Sequence, residues 1–149
     1  MPSRKIYIKK VSLNPDFKLP SYESKGAAGM DLSAVIDTEV VLKPLERSLI
    51  PTGIAISLPK DLEAQIRPRS GLAIKHGITL LNTPGTIDSD YRGEIKVILV
   101  NLSNDNYIIK PNDRIAQVVF SQFVSGEFEI VENLDETDRG DSGFGSTGK

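Results

Sequence analysis

The feature of this sequence that most constrains its fold is a succession of short apolar or alternating segments, divided by residues that favour turns. Ten segments are predicted strands, over residues 6–11, 31–36, 39–42, 47–50, 53–58, 63–67, 78–81, 94–101, 107–110 and 114–120. Pro, Gly, Asn and Asp separate them, as in Pro51-Thr52-Gly53. Many short strands at this spacing are typical of an all-β sandwich or barrel.

Two segments add detail to this prediction. Residues 94–101 carry apolar side chains on both faces of the strand, which predicts burial inside a sandwich or at a subunit interface. One short helix is predicted over Ser70–His76, with Ser70 as its N-cap and Gly77 as its stop.

Composition excludes several classes of site. The 149 residues suit one domain, and the absence of cysteine excludes disulfides, thiolate zinc sites and a cysteine nucleophile. His76 is the single histidine, so no multi-histidine metal site is available, and its place at the helix end favours a structural role.

The net charge of −2, with no clustered basic face, predicts no nucleic-acid partner. No apolar run suits a membrane span or a signal peptide, so we expect a cytoplasmic protein.

Four internal segments hold candidate functional side chains. Arg69, Ser70 and Gly71 stand where the predicted helix begins, and free N–H groups and a nearby guanidinium favour an anion there. Asp88 follows the apolar Ile87 in a predicted turn, so a partly buried carboxylate that accepts a proton is expected. Two further segments, 27–32 and 112–118, surround Asp31 and Gln117; Gln117 lies inside an apolar run and needs a partner.

The C-terminal segment differs from the rest. Residues 140–148 hold four glycines and one aromatic side chain, Phe144. Residues 143–149 match the pattern G-x-x-x-x-G-K, which is most of a P-loop motif. A P-loop also needs a Ser or Thr after the lysine and a helix after the loop, which this segment does not supply, so no P-loop is predicted. Glycine-rich backbone, with Arg139 as a further donor, can still bind phosphate oxygens. The alternative is a solvated tail with no role.

In this order, the five segments resemble the five motifs of the trimeric deoxyuridine triphosphatases (dUTPases), from about Ala27 to Gly148. The matching segments are residues 28–32, 68–73, 85–93, 113–117 and 139–148. One departure is Ser142, where the family usually has glycine; the functional positions of that motif still match.

The resemblance implies a jelly-roll-like β-sandwich or barrel at residues 1–136 and a flexible glycine-rich arm at 137–149. It implies a homotrimer whose three active sites lie between subunits. The implied reaction is hydrolysis of dUTP to dUMP and pyrophosphate by water attack at the α-phosphorus. This reaction keeps uracil out of DNA and supplies dUMP for dTMP synthesis. The implied cofactor is Mg²⁺ carried by the triphosphate, with no direct protein ligand and Asp31 near its water shell.

The resemblance also implies a role for each candidate residue. Asp88 activates the attacking water, and Tyr91 packs on the deoxyribose where a ribose 2′-hydroxyl would stand. The phosphate chain is held by Arg69, Ser70 and Gly71, and Gln117 helps to join subunits around it. The implied uracil-binding segment is Asn82 with the hairpin from Thr86 and Ile87 to Lys96. The arm contributes Arg139, Phe144, Gly145, Ser146 and Thr147 to a neighbouring subunit's site.

Two alternatives stay open at this point. A dCTP deaminase resembles dUTPases in fold, but it needs an acid–base residue for an exocyclic amine. A non-catalytic β-sandwich that binds nucleotides would need neither Asp88 nor the arm. Product analysis with dUTP and dCTP separates the three possibilities.

Overall fold

The computed structural model describes residues 3–14 and 17–143. Within them the chain forms eleven strands and one helix. The elements are β1 (Tyr7–Lys10), β2 (Gly29–Ser33), β3 (Val40–Leu42), β4 (Arg47–Pro51), β5 (Ile54–Ser57), β6 (Leu62–Arg67), α1 (Ser70–His76), β7 (Ile78–Leu80), β8 (Gly85–Ile87), β9 (Lys96–Asn101), β10 (Tyr107–Ile109) and β11 (Arg114–Gln122). All ten predicted strands are present, with ends displaced by at most three residues.

All of the strand pairing is antiparallel and connects strands that are distant in sequence. A four-stranded sheet has the order β2-β11-β6-β8, and a three-stranded sheet has the order β4-β9-β7. Two smaller sheets pair β1 with β5 and β10 with β3. The predicted all-β, jelly-roll-like sandwich with one short helix is therefore confirmed.

The core lies on the inward face of these sheets. Along β6, Leu62, Ala64 and Ile66 are buried, while the residues between them are half-exposed, which is the period-two pattern of a strand with one covered face. On β9, Val97 and Leu99 are at most 1% exposed, and Val100 on the opposite face is 6% exposed. The opposite face is covered only in part, because Ile98 is half-buried and Lys96 is exposed.

The helix has the predicted bounds but a different first turn. Arg69, in extended conformation, is the N-cap and makes no side-chain capping hydrogen bond, so the prediction of Ser70 as N-cap is wrong. Ser70 is instead the first residue of the helix. Gly77 ends the helix in the left-handed conformation (φ 65°), as predicted. The Arg69 side chain is therefore available for other contacts.

One strand was not predicted. The sequence predicts a turn over residues 85–95, but Gly85–Ile87 forms β8, which pairs with Ala64, Gln65 and Ile66 of β6. Three residues that include a glycine are too short to show an alternating pattern, so the strand is fixed by its pairing partner. It places the residues that follow it at the border of the four-stranded sheet.

Residues 123–143 contain neither strand nor helix, and most of their side chains are exposed. The division into a domain at 1–136 and an arm at 137–149 stays a prediction. Four residues assigned to the arm, Phe144, Gly145, Ser146 and Thr147, lie outside the described residues. Within the described ranges, the chain forms no helix of the length and apolar character needed to cross a membrane.

Candidate active site

A cleft of about 270 Å³ lies between the segment after β8 and the sheet that contains β4 and β9. Its lining residues are Leu49, Thr86, Ile87, Asp88, Tyr91, Glu94, Lys96 and Ile98. Five of these were predicted to bind substrate: Thr86, Ile87, Asp88, Tyr91 and Lys96. The structure thus brings together most of the predicted uracil- and sugar-binding segment within one chain.

The segment 88–95, which joins β8 to β9, is held by local hydrogen bonds. The Tyr91 amide donates to the Asp88 carbonyl at 3.1 Å, which closes a turn. Arg92 Nη1 donates to the Ser89 carbonyl at 2.7 Å. This turn therefore presents Asp88 and Tyr91 to the cleft from a defined backbone.

Tyr91 lies across its own turn. Its hydroxyl donates to the Glu94 carbonyl at 3.0 Å, and the side chain remains 44% exposed. A Cβ atom at Gly93 would overlap the phenol ring, so glycine is needed there for the ring to occupy this place. Tyr91 is therefore partly open to the cleft that it lines.

Asp88 is exposed, so the expectation of a partly buried carboxylate is wrong for the single chain. The residue follows the last position of β8, beyond the pairing with β6, whereas Ile87 is half-buried. Among the described residues, no side chain donates a hydrogen bond to the Asp88 carboxylate. A carboxylate at the border of a cleft can accept a proton from a water molecule.

Asn82 stands between β7 and β8 and is exposed. The segment from Thr86 to Lys96 is not the predicted hairpin, because β8 pairs with β6 whereas β9 belongs to the other sheet. A Cβ atom at Gly85 would lie 3.2 Å from Asn82 Nδ2. Because that distance is tight, the absence of a side chain at Gly85 leaves space for the Asn82 amide beside β8. Asn82 is therefore next to β8, although it is not among the residues that line the cleft.

A second cluster forms where β2, β11 and β6 lie side by side. The strand register aligns Asp31 with Gln117 and Gln117 with Arg67. Asp31 is half-buried, and its two carboxylate oxygens accept hydrogen bonds from Arg69 Nε and Arg114 Nη1, both at 3.0 Å. Arg69 Nη1 also donates to the Arg114 carbonyl at 3.0 Å. We call Asp31, Arg69, Arg114 and Gln117 the arginine cluster.

Gln117 is a polar residue within an apolar run, so its side chain is predicted to have a hydrogen-bond partner, and the structure shows one. Its Nε2 donates to the Pro68 carbonyl at 3.0 Å, which ties β11 to the residue before Arg69. A Cβ atom at Gly29 would overlap Gln117 Oε1, so the glycine two positions before Asp31 permits this close packing. Three predicted motifs, around Asp31, Arg69 and Gln117, thus meet at one place.

Arg114 was not predicted as a site residue. The sequence shows only that Arg114 is a cationic residue within the segment 112–118. Because most arginines are exposed on protein surfaces, its presence there does not by itself predict a functional role. Its contact with Asp31 requires the pairing of β2 with β11, which a local pattern does not reveal.

His76 does not belong to either cluster. Its ring centroid lies 5.1 Å from that of Tyr107, a tilted aromatic contact that ties the end of α1 to β10. Burial raises the pKa of Tyr107 above its ordinary value, and the nearby Asp113 carboxylate adds to this effect. The contact is in keeping with the structural role predicted for His76.

Within the part of the chain that the structure describes, the cleft and the arginine cluster share no residue. Ser70 and Gly71 are exposed at the start of α1 beside Arg69. Arg139 is exposed, and its Nε donates to the Ser142 carbonyl at 2.9 Å. Across the described ranges, no three His, Cys, Asp or Glu side chains converge in a way that could hold a metal ion. Apart from Arg139, the described candidate residues therefore fall into two groups, one at the cleft and one at the arginine cluster.

Known proteins resemble this chain over nearly its whole length. The Fusobacterium nucleatum deoxyuridine 5′-triphosphate nucleotidohydrolase is 58% identical over 98% of this chain and 99% of its own. The protein of the same name from Finegoldia magna is 59% identical over 97% and 99%. A mutant dUTPase of phage 80alpha superposes with a TM-score of 0.85 at 25% identity, covering 97% of this chain and 99% of the phage chain. The dUTPase family model matches residues 15–148, and the chain belongs to the dUTPase family.

Proposed function

We propose that this protein is a dUTP diphosphatase, which hydrolyses dUTP to dUMP and pyrophosphate through attack of water at the α-phosphorus. The observation that carries the proposal is membership of the dUTPase family over nearly the whole chain. The cleft supports it, because Asp88 and Tyr91 line it together with the backbone of β8. Removal of dUTP would keep uracil out of DNA and supply dUMP.

The test of this proposal is the product profile of the purified protein with magnesium and either dUTP or dCTP. We expect dUMP and pyrophosphate from dUTP. Ammonia released from dCTP would instead identify a deaminase. Absence of any product from both nucleotides would indicate a non-catalytic nucleotide-binding sandwich.

The arginine cluster supports a place for the phosphate chain. Phosphoryl transfer depends mainly on positioning and on neutralising charge, which guanidinium groups and Mg²⁺ supply. Arg69 already has its side chain fixed by Asp31 and by the Arg114 carbonyl. Ser70 and Gly71 follow it directly and would offer hydroxyl and amide donors to phosphate oxygens. Gln117 would contribute through the backbone of Pro68, which it holds.

The donor chemistry fits a magnesium ion that reaches the protein on the triphosphate. Mg²⁺ takes oxygen ligands and keeps several waters, so few protein ligands are needed. Both Asp31 oxygens already accept guanidinium hydrogen bonds, which favours contact with the ion through water. A related dUTPase, from phage phi11 of Staphylococcus aureus, coordinates a structural Mg(II) ion. When bound, the ion would neutralise charge on the phosphates.

We assign the uracil base of dUTP to the cleft. Asn82 and the main chain of Thr86 and Ile87 would match the donor and acceptor pattern of the base, and Lys96 lines the same cleft. A site built on hydrogen bonds rejects a base that leaves its groups unpaired, by about 10⁴-fold in favourable cases. The exposed face of Tyr91 would pack on the deoxyribose.

Replacing Tyr91 tests this sugar assignment. In Tyr91→Ala we expect the preference for dUTP over UTP to fall, because the ring no longer occupies the space of a 2′-hydroxyl. The measurement is kcat/KM for each nucleotide. Equal discrimination by variant and wild type would show that Tyr91 does not exclude ribose.

We propose that the complete active sites form between the subunits of a homotrimer. The support is that the cleft and the arginine cluster share no residue in the described part of the chain. A second subunit could bring its arginine cluster to the first subunit's cleft. Arg139, Phe144, Gly145, Ser146 and Thr147 would complete the site from an arm. The substrate and the neighbouring subunits are then the only partners that the reaction needs.

Light scattering tests the oligomeric state. We expect a particle of three times the 16.3 kDa chain mass at micromolar concentration. The physical reason is the exposed apolar surface of the single chain, where Phe128, Ile130 and Leu134 are between 84% and 105% exposed. A stable monomer that still turns over dUTP would contradict sites shared between subunits.

A further inference from the structure

Glu94 lines the cleft but was assigned no role above. Its carboxylate is 20% exposed; Oε1 accepts a hydrogen bond from the Gly53 amide at 2.9 Å, and Oε2 lies 3.9 Å from Lys96 Nζ. Its own carbonyl accepts the Tyr91 hydroxyl at 3.0 Å. Glu94 thus connects the Tyr91 side chain to the backbone of the turn between β4 and β5.

The anchor for this carboxylate is a packed turn between β4 and β5. Gly53 has a left-handed φ of 72°, and a Cβ atom there would lie between 2.9 and 3.1 Å from side-chain atoms of Ser12, Phe17 and Val35. Because other side chains surround the turn so closely, its amide has a fixed direction. Glu94 is therefore attached to a rigid part of the molecule.

The residue after Glu94 is held by the same turn. Thr52, which is 3% exposed, donates its hydroxyl to the Ile95 carbonyl at 2.6 Å. The Ile95 amide donates to the Ile54 carbonyl at 2.8 Å. These bonds fix the main chain where the segment 88–95 ends, while the Glu94 carboxylate fixes the residue that contacts Tyr91.

We propose that Glu94 is a positioning residue for sugar specificity: by holding its own backbone on Gly53, it sets the place of the Tyr91 ring in the cleft. The inference rests on the proposed function. A misplacement of about 1 Å can cost two orders of magnitude in a positioned reaction, so a ring that shifts would discriminate poorly. Glu94 acts through Tyr91 and does not itself need to touch the sugar.

The charges of this part of the cleft fit such a role. The Glu94 carboxylate faces the Lys96 ammonium, so the two charges largely offset each other. A region of low net charge suits an uncharged nucleoside, while the phosphates need the cations of the arginine cluster. Both Glu94 oxygens already face a hydrogen-bond donor or a cation, which distinguishes this carboxylate from Asp88.

The test compares kcat/KM for dUTP and UTP in wild type and four variants. In Glu94→Ala the dUTP-to-UTP ratio should fall about tenfold. Glu94→Gln keeps an oxygen that can accept from the Gly53 amide, and it should recover most of the lost ratio. Tyr91→Phe keeps the ring but removes the hydroxyl that donates to Glu94, so its ratio should also fall. Glu46→Ala is the matched control, because Glu46 Oε2 likewise accepts a backbone amide, from Lys43 at 2.8 Å, outside the cleft.

The outcomes separate this inference from the proposed function. Failure of the wild type to hydrolyse dUTP would overturn both. Hydrolysis by the wild type with an unchanged ratio in folded Glu94→Ala would overturn the role of Glu94 alone. If Glu94→Ala does not fold, Tyr91→Phe decides, and an unchanged ratio there overturns the inference. An equal fall in Glu46→Ala would show a general loss of stability and would also overturn it.

Discussion

Asp88→Asn is expected to bind dUTP and fold like the wild type while losing about 10²–10⁴-fold in turnover, the usual contribution of a general base. The amide has nearly the shape of the carboxylate but cannot take a proton from the attacking water. Because Asp88 is exposed at the border of the cleft, its replacement should not disturb the core. Single-turnover hydrolysis and the Kd for a non-hydrolysable dUTP analogue measure the two quantities separately.

Asp90→Asn provides the matched control. Asp90 belongs to the same turn and is exposed, but it does not line the cleft. We expect the control variant to turn over dUTP at close to the wild-type rate. Near-normal hydrolysis by Asp88→Asn would eliminate Asp88 as the base. An equal loss in both variants would attribute the effect to the net charge of the turn.

The strand framework could be predicted because burial leaves a direct trace in sequence. On β6 the alternation from Leu62 to Ile66 reports which face is covered, and a strand with one buried face shows a period of two. Gly77 likewise ended the helix as its freedom at positive φ suggested. These features depend on local conformation and on the apolar character of single residues.

Features that depend on pairing could not be predicted in the same way. The three-residue β8 exists because β6 offers an edge, and it moves Asp88 past the paired region into solvent. The N-cap is Arg69 and not the predicted Ser70, because Ser70 is already the first residue of the helix. Local patterns contain no information about which edge is available.

The candidate site likewise contains residues that local sequence patterns predict and residues that only strand pairing brings together. Residues around Asp31, Arg69 and Gln117 were recognised as motifs, and the register of three strands explains why they meet. Arg114 was overlooked because only that register brings its guanidinium to Asp31. Similarly, no local sequence pattern predicts that the Glu94 carbonyl accepts a hydrogen bond from the Tyr91 hydroxyl.

Arg69→Lys is expected to lower kcat/KM for dUTP by about 10²–10³-fold, the effect of removing one preorganised donor from a developing charge. A guanidinium has five N–H donors, and Arg69 uses two of them on Asp31 and the Arg114 carbonyl. Three donors therefore remain for phosphate oxygens from a side chain whose orientation is already fixed. A lysine ammonium has three donors at one atom and cannot keep both contacts while also binding phosphate.

The comparison that isolates this effect is Arg67→Lys. Arg67 stands two residues earlier at the end of β6, and its guanidinium donates to Gln65 of the same strand, at 2.6 and 3.1 Å. Both variants keep the net charge, so long-range attraction of the nucleotide is unchanged. Partly exposed ion pairs contribute at most about 1 kcal/mol, so neither Tm should move far. A loss of kcat/KM confined to Arg69→Lys would place the phosphate chain at the arginine cluster. Equal activity of the two variants would remove Arg69 from the site and leave phosphate binding to other donors.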